Sequence, residues 1–146
     1  FWLEKHMFTK NFSAAVVIGF AAFAVPAMAE SHAAGDVTKG EKVFKKCRSC
    51  HEIGEGAKNK VGPRLTGIVG RKAAAIEDYK YGKSIRAAGE AGLVWTAEEL
   101  LEYLKSPKKY LRAKLNDKKA KSKMAFKLKK EQDRMNVVAY LSSLAQ

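Results

Sequence analysis

Cys47-Arg48-Ser49-Cys50-His51 places two thiols and an imidazole within one short run. Thiols three residues apart stand about one helical turn from each other and share a face. C-x-x-C-H is the attachment signature of c-type haem. The two thiols reach the two vinyl groups on one edge of the macrocycle, and the adjacent histidine projects beneath the ring to ligate iron. With two cysteines and three histidines in 146 residues, chance supplies roughly 5 × 10⁻⁴ such runs, so coincidence explains the pattern poorly. Other uses of these residues fit less well. A thioredoxin-like redox pair needs a βαβ context, which the sequence lacks. Zinc needs four ligands where only two Cys and one His cluster. A plain disulfide leaves His51 without a role.

The group on the far side of the iron separates a carrier from a catalyst. Met28, Met124, Met135 and His32 are the candidates. Met28 falls in a segment expected to be removed, His32 in a polar terminal stretch, and Met135 inside a helical pattern where core packing is the simpler role. Met124 sits in Lys121-Ser122-Lys123-Met124-Ala125-Phe126, a loop between helical segments, and is the expected ligand. A thioether raises the reduction potential relative to a second imidazole. It also fills the sixth position, which disfavours an enzyme. A small peroxidase-like haem enzyme, with that position open, is the alternative.

The elements that must hold these groups read as helices. Asp36 precedes a pattern with Gly40, Val43, Phe44 and Cys47 on one face. Residues 54–92 are glycine-rich and polar, predicting loops with one short helix. Thr96 is an N-cap with Glu99 at N3 to reach back, and Trp95 with Leu100 forms a hydrophobic staple. That helix stops before Pro107, where proline at N1 permits a further short turn. A last helix over Glu131–Leu144 has acids in its first turn and Val137, Val138, Leu141 and Leu144 on its apolar side. No useful strand alternation or internal repeat appears. The expectation is an all-α, loop-rich domain.

Composition bounds the rest. The 146 residues carry 28 Lys+Arg against 15 Asp+Glu, a formal charge of +13, with 47% hydrophobic residues. This suits one globular domain and an anionic partner. Ahead of it, Lys10, the uncharged run Phe12–Val25 and Ala27-Met28-Ala29 predict a secretory signal peptide cleaved after Ala29. Met7 is the expected initiator, with residues 1–6 upstream of it. The fourteen-residue run spans about 21 Å as a helix, short of the ~30 Å hydrocarbon core, so an uncleaved membrane tether is the secondary reading. The expected mature domain is 30–146, with a charge of +12. Export disfavours nucleic acid as the partner. From Lys105 to Lys130 there are twelve basic residues and one acid, Asp117. Because this run flanks Met124 on both sides, it is expected to be a docking face.

Taken together, the residues resemble the class I c-type cytochromes, and within them the bacterial cytochrome c2 group, over nearly all of 35–146. The resemblance rests on Cys47 to His51, Gly62-Pro63-Arg64-Leu65, Gly70-Arg71-Lys72, Trp95, Glu102-Tyr103-Leu104, Pro107-Lys108-Lys109-Tyr110, Lys123-Met124-Ala125-Phe126 and Val138-Ala139-Tyr140-Leu141. It implies the small cytochrome c fold, with the first and last helices packed together through Gly40, Phe44, Val137 and Tyr140 around one covalent haem c. It implies thioethers at Cys47 and Cys50 and axial ligation by His51 and Met124. The Pro63 carbonyl would accept the imidazole N–H. Tyr81, Trp95 and Arg71 would hold one propionate and Ser122 another, while Tyr103 would lie near the methionine sulfur. The implied role is a monomeric periplasmic electron carrier, not an enzyme. It would pass electrons from a bc1-type quinol-oxidising complex to a photosynthetic reaction centre or a terminal oxidase, through transient docking of acidic membrane partners. Two stretches depart from compact members: Leu111 to Ala120 replaces a tighter turn, and the span between Arg71 and Trp95 is expanded.

Overall fold

Asp36 starts the first helix as its side chain predicts: its carboxylate accepts from the backbone N–H of Lys39 at 2.9 Å. In the computed structural model, which describes residues 35–144, five helices follow in order. They are α1 (Val37–Phe44), α2 (Lys83–Glu90), α3 (Ala97–Lys105), α4 (Pro107–Lys114) and α5 (Glu131–Ser143). Among the described residues there is no strand, only one isolated antiparallel bridge between Lys72 and Val94. The predicted signal peptide and its cleavage site lie outside the described residues.

α1 and α5 form the main helix pair. A β-carbon on Gly40 would stand 2.0 Å from the Asn136 carbonyl oxygen and 2.7 Å from Cβ of Tyr140. Only a hydrogen there lets the two backbones meet. Phe44 then buries completely, with its ring 5.8 Å from that of Tyr140. Of the expected partners of Gly40, Tyr140 is a neighbour, and the closest approach is to the Asn136 backbone. Asn136 is itself buried, and its Oδ1 accepts from the Asp36 N–H at 2.9 Å and from Gln132 Nε2 at 3.0 Å.

Pro107 opens more than a turn. α4 runs for eight residues, buries Leu111, and closes with Asn116 at φ 48°. The N–H of Asn116 donates to the Ala113 carbonyl and that of Asp117 to the Arg112 carbonyl, a Schellman closure. The long segment after Tyr110 is therefore built from α4 and a capped turn. Arg112 Nε adds a bond to the Ala120 carbonyl at 3.3 Å.

α5 also fixes the strap that precedes it. Arg134, buried, donates through Nη1 to the carbonyls of Leu128 and Lys129 at 3.0 and 2.8 Å. The Leu128 N–H donates to the Leu104 carbonyl at 2.8 Å, tying the same strap to α3. Overpacking a helix contact costs about 1–3 kcal/mol where neighbours can yield, and at Gly40 the neighbour is backbone. Gly40→Val should therefore lower the guanidinium unfolding midpoint by the equivalent of ~3 kcal/mol with an unchanged m-value. An unchanged midpoint would show that α1 does not need this approach.

Candidate functional site

The thiols and imidazole stand on a tightened turn immediately after α1. The sequence pattern extends the helix through Cys47, whereas regular helix ends at Phe44 and three-residue turns take over. Cys47 N–H donates to the Phe44 carbonyl at 2.8 Å, and the Cys47 carbonyl accepts from both Cys50 and His51 N–H at 3.0 Å. Bonds of the i→i+3 kind bring side chains i and i+3 onto one side, which is where two attachment thiols are needed. Both cysteines are free and half-buried, and burial pushes the Cys47 thiol up to about 11.

His51 is held from one side only. Its Nδ1 lies 2.7 Å from the Pro63 carbonyl oxygen. A carbonyl only accepts, so Nδ1 carries the proton and Nε2 keeps its lone pair. Burial also holds the imidazole pKa below its usual value, favouring the neutral ring that binds metal. The loop carrying Pro63 approaches because residue 62 is glycine: a β-carbon there would be 2.2 Å from His51 Cε1. Gly62 N–H donates to the Cys50 carbonyl at 2.8 Å, and Leu65 N–H to that of Glu52 at 2.9 Å.

Arg71 donates through Nη1 to Thr66 and through Nη2 to Arg64 carbonyls, each at 3.0 Å. Its Nε is buried and has no partner within the chain. Burial, opposed by nearby Tyr81, lowers the guanidinium pKa. Trp95 is buried beside it, its backbone N–H donating to the Arg71 carbonyl at 2.9 Å and its ring 4.8 Å from that of Tyr103. The Tyr103 hydroxyl lies 3.5 Å from Ser122 Oγ, which donates to the Met124 carbonyl at 3.0 Å. Ser122 thus ties Tyr103 to the strap bearing Met124. Met124 is half-buried against the core, as are Ile53, Leu65, Val69 and Ile85.

Sequence reasoning missed the segment that links these two sides. Arg64 pairs with both carboxylate oxygens of Asp78 at 2.9 and 3.0 Å, and this contact holds the exposed Asp78 carboxyl below its ordinary range. Tyr79 donates its hydroxyl proton to the Val61 carbonyl at 2.7 Å, and the Lys123 ammonium lies 5.8 Å above its ring. Lys123 also donates to the Lys80 carbonyl. Sequence adjacency of Asp78 and Tyr79 carries no signal for this, because every partner is far away in the chain. Glu99, expected to reach back to its own helix start, instead accepts from Tyr110 and Lys114. Thr96 caps as expected, accepting from the Glu99 N–H at 3.2 Å.

The donor set fits a covalently attached haem: paired thiols, a neutral imidazole with a free Nε2, a thioether on a strap, and an unpartnered buried Arg71 Nε suited to a carboxylate. Among the described residues no three His, Cys, Asp or Glu side chains form a metal-holding cluster.

Comparison with known proteins agrees. The family model for cytochrome c matches residues 37–145. Cytochrome c2 iso-1 of Rhodospirillum centenum is 50% identical over 117 residues, covering 76% of this chain and 98% of that protein. Cytochrome c2 of Rhodospirillum rubrum is 46% identical over 135 residues, covering 92% and 98%. Among solved structures, cytochrome c2 from Rhodospirillum centenum aligns with a TM-score of 0.74 at 47% identity, covering 77% of this chain and all of that one. Ferric cytochrome c-550 from Paracoccus versutus aligns at 0.71 and 42%, covering 77% and 99%.

The approach at residue 62 is directly testable. Gly62→Ala should reduce the yield of folded, haem-stained protein, whereas Gly82→Ala, whose β-carbon meets only Lys123 Cγ at 3.4 Å, should not. Equal yields would mean the imidazole has room to retreat.

Proposed function

This chain belongs to the cytochrome c family, in its class I cytochrome c2 group, with one covalently attached haem c as cofactor, and from that premise we propose that it is a soluble periplasmic carrier of single electrons. The observation that carries the reading is the 2.7 Å contact of His51 Nδ1 with the Pro63 carbonyl beside the two attachment thiols. It leaves one imidazole nitrogen committed to orientation and the other to a metal.

When bound, the haem supplies a one-electron Fe(II)/Fe(III) couple. The chain's residues do the rest. Cys47 and Cys50 would tether the haem, His51 and Met124 would ligate its iron, and Arg71, Tyr81 and Trp95 would hold a propionate. Tyr103 and Ser122 steady the Met124 strap. Ligation by both His51 and Met124 would leave no open position for a substrate, so the reading is a carrier rather than a peroxidase. Among the described residues no helix is long and apolar enough to cross a membrane. Export by a signal peptide cleaved after Ala29 leaves 30–146 as the working domain.

The basic residues from Lys105 to Lys130 form the docking face. Lys108, Lys109, Lys127, Lys129 and Lys130 are exposed, and so is Phe126. Such a face steers acidic membrane complexes into short-lived contact, here a bc1-type donor and a reaction-centre or oxidase acceptor.

Two measurements test this. The purified protein should have the intact mass of residues 30–146 plus one haem, and Met124→Ala should lose the methionine–iron absorption band while keeping haem on a denaturing gel. A retained band would remove Met124 as ligand, and a mass including Met7 to Ala29 would remove the cleavage. The bimolecular electron-transfer rate with a membrane partner should fall on the order of tenfold between ~10 and ~150 mM salt, as the Debye length shrinks from about 30 to 8 Å. A flat profile would rule out electrostatic docking.

A further inference from the structure

Tyr110 is the outer member of an aromatic stack that reaches the surface at a carboxylate. Ring centroids of Trp95 and Tyr103 are 4.8 Å apart, and those of Tyr103 and Tyr110 are 5.5 Å apart in an edge arrangement. The Tyr110 hydroxyl donates to Glu99 Oε2, and Lys114 donates to Glu99 Oε1. Tyr103, by contrast, faces the Ser122 hydroxyl and Tyr79 a backbone carbonyl, neither of which is a base. We propose that Tyr110 is a one-electron oxidation site that drains strong oxidants from the haem crevice, with Glu99 as its proton acceptor. The stack's inner end, Trp95, faces the haem in the reading above, on which this inference rests.

The step balances. A strong one-electron oxidant, of the class of peroxide-derived radicals, takes one electron through Trp95 and Tyr103 and is reduced. Tyr110 loses that electron, its O–H bond breaks, and the proton passes to Glu99 Oε2, leaving a neutral phenoxyl radical and a neutral carboxylic acid. Lys114 serves twice. It keeps Glu99 ionised, its hydrogen bond holding that carboxyl below the ordinary range. Its ammonium, 5.9 Å from the Tyr110 ring centroid, also disfavours a radical that keeps the proton and its positive charge. In the resting protein burial and the Glu99 carboxylate hold the phenol protonated. Recovery needs an electron donor at the surface. Tyr110 opens on a cleft of about 700 Å³ whose lining is net positive, with Lys105, Lys109, Lys114, Lys127 and Lys129 against Glu99 and Glu102. That charge suits an anionic enediol reductant such as ascorbate, which returns the electron as Glu99 returns the proton.

The test uses ferric holoprotein with photogenerated tris(bipyridine)ruthenium(III) as oxidant. Radicals are read by freeze-quench electron paramagnetic resonance, and spin-trap adducts are located by mass spectrometry. In wild type the adduct should lie on Tyr110 and be lost when ascorbate is added. Tyr110→Phe should lose that signal and shift the adduct inward to Tyr103 or Trp95, with the methionine–iron band intact. Glu99→Gln, which keeps a hydrogen-bond acceptor but no base, should lower the radical yield. A wild-type adduct on Tyr79 or Tyr140, or an unchanged signal in Tyr110→Phe, overturns the relay. An unchanged yield in Glu99→Gln overturns the proton assignment. Absence of haem on a denaturing gel would instead strike the carrier reading itself.

Discussion

A single N–H donated by His51 to the Pro63 carbonyl sets the terms for the whole proximal half of the molecule. For that bond to form, the loop at 59–65 must lie against the turn carrying the two thiols, and residue 62 must lack a side chain. The loop is then secured by Gly62 to Cys50, Leu65 to Glu52 and Arg64 to Asp78. None of these contacts needs the iron, yet together they present one imidazole nitrogen, unprotonated, in a fixed direction. Orienting a ligand before the metal is bound avoids the entropy cost of ordering it afterwards.

The distal half is arranged differently. Met124 belongs to a strap without regular structure, pinned at its far end by buried Arg134 and by Leu128, and near Met124 by Ser122 and Lys123. These ties are individually modest hydrogen bonds, on the order of 1 kcal/mol each. Tyr79 joins the two halves, with its hydroxyl on one and its ring under the lysine of the other.

Where sequence reasoning succeeded, the information was local. Asp36 and Thr96 cap as written because an N-cap needs only the next three residues. The apolar face of α5 could be read from its periodicity, with Val137, Val138 and Leu141 buried. Where it fell short, the partner was remote or the signal competed. Glu99 had a local partner within its own helix start, but Tyr110 and Lys114 offered a phenol and an ammonium, and the charge-assisted pair won. α4 was legible only as a turn, because its basic residues hide a core contact of two residues, Pro107 and Leu111. Buried Arg134 and Asn136 look like surface residues in any window. Only the backbone groups they satisfy, the strap carbonyls for Arg134 and the Asp36 N–H at the start of α1 for Asn136, explain their burial.

The contact between Gly40 and the Asn136 backbone also orders events in time. Asp36 and Asn136 are 100 residues apart in the chain, so α1 finds its packing surface only after nearly the whole domain has been synthesised. An eight-residue helix is well below the ~12–15 residues needed to persist alone in water. Among the described helices the packing partner of α1 is α5, so the turn that carries Cys47, Cys50 and His51 takes its helical support from the far end of the domain.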